Sequence, residues 1–192
     1  MKYVKMLGLL AVAAAAMMAF AGTASATVLK SEGSTYTGTI HGESEGKTTL
    51  HGPADISCEK STVAGPVETH GAGVTVEGNI STLDFSECNA HVTVVSAGRL
   101  SVHAITPTGN GTLTSNGAKI TVQITNFISC EYETQNTHIG TVTGSSNLGG
   151  KTATMHIDSS LIPRVRHSIF CGSTGEWTGS YTVTSPMTLD VH

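Results

Sequence analysis

The chain has 192 residues, a formal net charge of −4 and only 12% charged residues. Beyond residue 26, Val, Ile and Thr dominate; such β-branched side chains lose freedom in helices and pack well on sheets, which excludes a helical bundle. Its 10 Lys and Arg lie scattered among 14 Asp and Glu, leaving no basic stripe to neutralise phosphates, so neither nucleic acid nor anionic membrane is an expected partner.

Lys2 and Lys5 precede an uncharged run from Met6 to Phe20, followed by Ala24-Ser25-Ala26. A basic start, an apolar centre and a small-residue site make a secretory signal peptide, residues 1–26, cut before Thr27. The apolar centre spans 15 residues, short of the roughly 20 that cross a bilayer. No later segment is apolar enough to cross as a helix, so no integral span is expected after cleavage. No Cys follows the apolar run to carry a lipid, and the C-terminus lacks an anchoring tail. The expected location is extracellular or at the cell surface, with an envelope or extracellular partner. The remaining 166 residues hold 47 Ser and Thr, 20 Gly and seven aromatics.

Within 27–192, period-2 alternation recurs. Val74 and Val76 alternate with Thr75 and Glu77, and Leu100 and Val102 with Ser101 and His103. Ile120, Val122 and Ile124 alternate with Thr121, Gln123 and Thr125, and Tyr181 and Val183 with Thr182 and Thr184. Turn residues separate the runs: Gly71-Ala72-Gly73, Asn110-Gly111, Asn116-Gly117 and Asn147-Leu148-Gly149-Gly150. Many short strands, each with one apolar face, predict a single all-β domain, an antiparallel β-sandwich or a closed barrel. A β-solenoid fits less well because the chain is not divided into short regular coils. Thr and Ser occupy positions where an outer-membrane barrel needs lipid-facing apolar residues.

Cys58, Cys88, Cys130 and Cys171 form an even set downstream of the signal, which favours disulfides. Their wide spacing lacks the close Cys pair of common structural zinc sites. Asp55-Ile56-Ser57-Cys58-Glu59 recurs as Phe127-Ile128-Ser129-Cys130-Glu131. Val92-Thr93-Val94-Val95-Ser96 and Leu100-Ser101-Val102-His103 align with Tyr181-Thr182-Val183-Thr184-Ser185 and Leu189-Asp190-Val191-His192 at a constant offset of 89. These matches suggest an internal duplication with halves at about 27–104 and 105–192. If each half is a copied unit, the bonds are Cys58–Cys88 and Cys130–Cys171.

Thr35-Tyr36-Thr37-Gly38-Thr39-Ile40, Ile56-Ser57-Cys58, Gly71-Ala72-Gly73-Val74-Thr75-Val76, His91-Val92-Thr93-Val94-Val95-Ser96 and Trp177-Thr178-Gly179-Ser180-Tyr181 carry a resemblance across the mature chain. They are similar to segments of a family of small secreted Cys-containing actinobacterial proteins that has no settled function. The Cys-plus-Gly/Thr strand pattern also resembles, more faintly, secreted proteins labelled alkane-oxidation activators.

Local signals for chemistry are sparse. Of His41, His51, His70, His91, His103, His138, His156, His167 and His192, no two lie within four residues, so no strand-local or helical metal pair exists. His41 and His51 could meet on neighbouring strands. Ser57-Cys58-Glu59-Lys60 matches Ser-x-x-Lys by spacing, but in a strand context where Lys60 would not face Ser57. No Gly-x-Ser-x-Gly elbow occurs, although a dispersed Ser-His-Asp set needs no local pattern. Glu43 with Glu45, and Glu131 with Glu133, would share strand faces as paired carboxylates do in glycosidases. Trp177 is the sole Trp, too few aromatics for an ordinary sugar-binding platform. Asn79-Ile80-Ser81 and Asn110-Gly111-Thr112 match the N-glycosylation pattern.

The composition therefore predicts no cofactor, no metal and no catalytic residue. The expected function is a non-catalytic binding or cell-surface structural module. The alternatives are an accessory factor for hydrophobic substrate uptake, which would need an apolar cavity, and a small extracellular hydrolase with a dispersed site.

Overall fold

The computed structural model describes residues 27–68, 75–105, 109–163 and 170–192, without side chains at 159–163. The expected signal segment lies outside the described residues. In chain order the strands are β1 (Leu29–Ser31), β2 (Ser34–Thr35), β3 (Thr39–Ser44), β4 (Thr48–His51), β5 (Ile56–Pro66), β6 (Val76–Asn79), β7 (Thr82–Cys88) and β8 (His91–Ser96). They continue with β9 (Arg99–Ile105), β10 (Asn110–Asn116), β11 (Lys119–Thr125), β12 (Ile128–Glu133), β13 (Thr137–Thr143), β14 (Thr154–Pro163), β15 (Thr174–Ser185) and β16 (Asp190–Val191). One 3-10 turn, Ser145–Leu148, precedes β14. The all-β prediction holds.

Several strands are halves of longer runs. β3 and β4 lie end to end between β5 and β15: Thr39–Glu43 faces Thr62–Pro66, and Thr48–Leu50 faces Ile56–Cys58. On the other side Tyr181 faces Ser44, and Thr178 faces Thr49. β8 and β9 pair likewise with β11 and β10, and β12 and β13 pair with β11 and β10. The break in β10–β11 falls at Gly117-Ala118, where backbone bonds to Thr134 carry the ladder across. Such breaks let long strands bend and coil, with a local shift of register at the break between β3 and β4.

At one end the pairings run round a ring: β5, β3, β15, β14, β13, β10, β9 and β6. β6 meets the end of β5 through Glu68 N–H to the Glu77 carbonyl at 2.9 Å and Ser81 N–H to the Ala64 carbonyl at 2.8 Å. Pro66 has no N–H to add to that seam. At the other end β8, β11 and β12 separate as a three-stranded sheet packed over β4, β5, β7 and β15. The fold is sandwich-like, with one end curled into a ring that backbone bonds at the β5–β6 seam complete.

A third small sheet, β2-β1-β16, caps the ring. Val28 and His192 exchange backbone hydrogen bonds, and Val191 N–H reaches the Gly109 carbonyl. Leu29, Leu189 and Val191 thereby enter the ring's core with Val76, Leu113, Val142, Met155 and Val183. The second core lies between the sheets and contains Leu50, Ile56, Ile120, Val122, Cys130, Tyr132 and Cys171. Each fully buried aliphatic side chain contributes roughly 1.5–3 kcal/mol. Trp177 packs against both cores, its ring 4.8 Å from that of Phe85.

Both disulfides pair as the repeated segments suggest, Cys58–Cys88 and Cys130–Cys171. Their settings differ. Cys58 lies directly opposite Cys88 in the β5–β7 pair, whereas Cys171 lies in the bend before β15 and ties it to β12. The matched segments also take different neighbours: Val92–Ser96 lies in β8 beside β11, but Tyr181–Ser185 lies in β15 between β14 and β3. The halves 27–104 and 105–192 interleave in one sheet system instead of standing as two units.

The buried phenol of Tyr181 donates to Ser61 Oγ at 3.0 Å, and burial pushes its pKa from 10.0 up to about 12. A phenol held protonated in the fold favours the folded state fully below pH 10. That contribution fades as pH rises from 10 toward 12. Denaturant titrations should lose about 2–3 kcal/mol of stability across that window. Tyr181→Phe should flatten the loss, and an equal loss in the variant would refute the assignment to Tyr181.

Candidate functional site

The inside of the ring is not completely filled. An apolar cavity of about 80 Å³ lies among Val63, Val76, Val102, Leu113, Met155 and Val183. A second of about 70 Å³ shares Val63, Ile80, Leu100, Leu113 and Met155 with it and extends toward Ile157, Trp177 and Tyr181. The alternation of β5, β10 and β14 points these side chains inward. The larger cavity also reaches Pro66, Val67 and Gly78, along the β5–β6 seam that two backbone bonds close.

Polar groups around the second cavity are few. Ser115 and Thr134 are buried and bond to each other at 2.9 Å, and Thr134 Oγ1 also accepts from Ala118 N–H at 3.0 Å. Tyr181 is committed to Ser61. Trp177 Nε1 is the exception: it is buried and has no hydrogen-bond partner among the described residues. A smaller void of about 20 Å³ lies between the sheets and is also lined by Trp177.

Outside, an open groove of about 450 Å³ is bounded by His51, Gly52, Pro53, Gly172, Ser173, Thr174 and Glu176. His51 Nδ1 sits 3.1 Å from Asp55 Oδ1. Both side chains are exposed, at 43% and 65%, so solvent weakens the pair.

The other sequence candidates are dispersed. His41 and His51 lie on successive halves of one broken strand, not side by side on neighbours. That correction follows from the break at residues 45–47, which makes β3 and β4 collinear. His156 contacts Ser180 Oγ at 3.0 Å and His91 contacts Thr93 Oγ1 at 3.3 Å. His103 and His138 sit on β9 and β13, and His192 is held by the cap. His70 and His167 lie outside the described residues. Among the described residues no three His, Cys, Asp or Glu come together to hold a metal ion.

Glu131 and Glu133 share a face as expected, but Lys119 Nζ lies between them at 3.8 and 3.0 Å. They form an ion pair across β11–β12. Glu43 pairs in β3, while Glu45 falls in the break and accepts from the Thr182 hydroxyl. Ser57 Oγ lies 3.1 Å from Thr49 Oγ1. Lys60 is bound to Glu87, whose hydrogen bond and charge hold the ammonium pKa above its ordinary value. Ser57 and Lys60 are thus engaged by different partners, and the Ser-x-x-Lys spacing does not bring them together. Asn79 bonds Glu68, and Asn110 Oδ1 accepts from Gly144 N–H and Asn147 Nδ2.

Sequence reasoning missed the two cavities, because residual volume is a property of assembled side chains. It also missed the His51–Asp55 contact, whose i, i+4 spacing was visible, and the place of Ser173 on the groove that His51 lines. Comparison with protein families, curated proteins and solved structures finds no match for this chain.

Proposed function

We propose that the protein is a secreted, non-catalytic binding module whose ring holds a small apolar molecule. The observation that carries this reading is the pair of abutting apolar cavities, about 80 and 70 Å³, that share five wall residues inside a closed ring. Dry apolar cavities of about 150 Å³ take up benzene or xenon. Drug-sized ligands occupy roughly 300–1,000 Å³. The expected ligand is therefore compact, and a long alkane chain exceeds the space. This reading joins the binding module with the uptake factor anticipated from sequence. The signal pattern and the two disulfides support an oxidising, extracellular setting.

The test is titration of the mature protein with benzene, followed by methyl NMR. Shifts concentrated at Leu113 and Met155, with a rise in melting temperature, are expected. Saturating benzene that moves neither would overturn the reading.

A second reading rests on the outer groove. Asp55 at His51 Nδ1 leaves Nε2 available, and Ser173 lines the same groove, as a dispersed hydrolase would require. Fluorophosphonate labelling of Ser173, abolished by His51→Ala, would favour it. An unlabelled Ser173 with no ester turnover would remove it.

A further inference from the structure

We propose that the cavity ligand carries one hydrogen-bond acceptor oxygen on an otherwise apolar body, presented to the Nε1–H of Trp177. This rests on the binding reading above and assigns the chemistry of its ligand: a small ketone, ester or alcohol in preference to a pure hydrocarbon.

The indole N–H is a donor only, and burying a donor without a partner is unfavourable. Among the described residues Trp177 Nε1 is the buried side-chain polar atom left in that state. The polar groups nearby are already committed, Ser115 to Thr134 and Tyr181 to Ser61. Trp177 is positioned by β15, where it faces Leu50 of β4, and its ring rests on Phe85. Of the two voids it lines, the one of about 20 Å³ has no room for an organic group, whereas the one of about 70 Å³ does. A water molecule in that space would want two to four polar partners. Its wall is otherwise mainly Val63, Ile80, Leu83, Leu100, Leu113 and Met155. An acceptor oxygen attached to a hydrocarbon body needs only the one donor and leaves the apolar wall covered.

The experiment compares cyclopentanone with cyclopentane, similar in shape and differing in the acceptor. Both are titrated into the mature protein while methyl resonances and the Trp177 indole N–H resonance are followed. Cyclopentanone should move the indole proton downfield and cyclopentane should not. Trp177→Phe should weaken cyclopentanone binding about five- to tenfold more than it weakens cyclopentane binding, the worth of one hydrogen bond. If both ligands bind and the indole proton ignores the ketone, or the variant weakens both equally, the proposal is overturned while the binding reading stands. If neither ligand binds, both fall. Should Trp177→Phe fail to fold, the indole shift in the unaltered protein decides alone.

Discussion

Gly140→Ala is expected to lower the stability of the fold by about 4 kcal/mol, combining backbone strain with overpacking. Gly140 lies on β13 where the register against β10 slips: Leu113 faces Gly140 and Thr114 faces His138, leaving Ile139 extra. Its φ of +154° is one that L side chains rarely adopt. A Cβ built there would sit 1.9 Å from the His156 carbonyl oxygen and 2.9 Å from its carbon. Those atoms are the backbone of β14, so the strand itself would have to move. Gly149 offers the matched control, with φ +68° and nothing within 4 Å of a built Cβ. Gly149→Ala should cost only about 1 kcal/mol, the left-handed backbone penalty alone. Urea unfolding at constant slope reads both. Equal losses for the two variants would mean that the β13–β14 contact does not constrain the ring.

Removing Cys130–Cys171 by paired alanine substitution should cost about 4 kcal/mol on the chain-entropy account, and Cys58–Cys88 nearly as much. The structural consequences should differ. Cys58 and Cys88 face each other in a strand pair that remains hydrogen-bonded from Lys60–Ser86 to Ala64–Thr82. Among the described residues no ladder joins β12 to β14 or β15. There the links are the disulfide, the apolar packing between the sheets and Tyr132 OH, which donates to the Cys171 carbonyl at 2.8 Å. Cys130 and Cys171 are 1% and 0% exposed, in the core between the sheets. Hydrogen exchange should therefore accelerate across β8, β11 and β12 when Cys130–Cys171 is lost. Loss of Cys58–Cys88 should leave those strands protected. Uniform acceleration in both variants would show that the two ends of the molecule unfold as one unit.

Much of the fold was legible in the residues. Ile120 and Val122 alternate with Thr121 and Gln123, and the first pair is buried as that period requires. The repeated Ile-Ser-Cys segments led to the right cysteine partners. The candidate site was far less legible. Trp177 stood out as the sole Trp, yet nothing around it in sequence says that its N–H lacks a partner. Glu131 and Glu133 read as a carboxylate pair because Lys119, which neutralises them, is twelve positions away from Glu131 and adjacent only through β11–β12 pairing. Ser173 lies in a bend that lines the same open groove as His51, with no periodic signal to mark it.

By itself the sequence determined the all-β class, the inward face of the clearly alternating runs such as Ile120–Val122 and Tyr181–Val183, and the pairing suggested for the cysteines. These depend on local alternation and on spacing. Only the tertiary structure decided which strands became neighbours, so that one end closes as a ring while the other opens into two sheets. It also decided where the inward side chains fail to fill the interior and which buried donor, Trp177 Nε1, is left without a partner among the described residues. Period-2 alternation says which face is buried but carries no information about the partner across the core. Cavities and unpaired donors arise from that partnership.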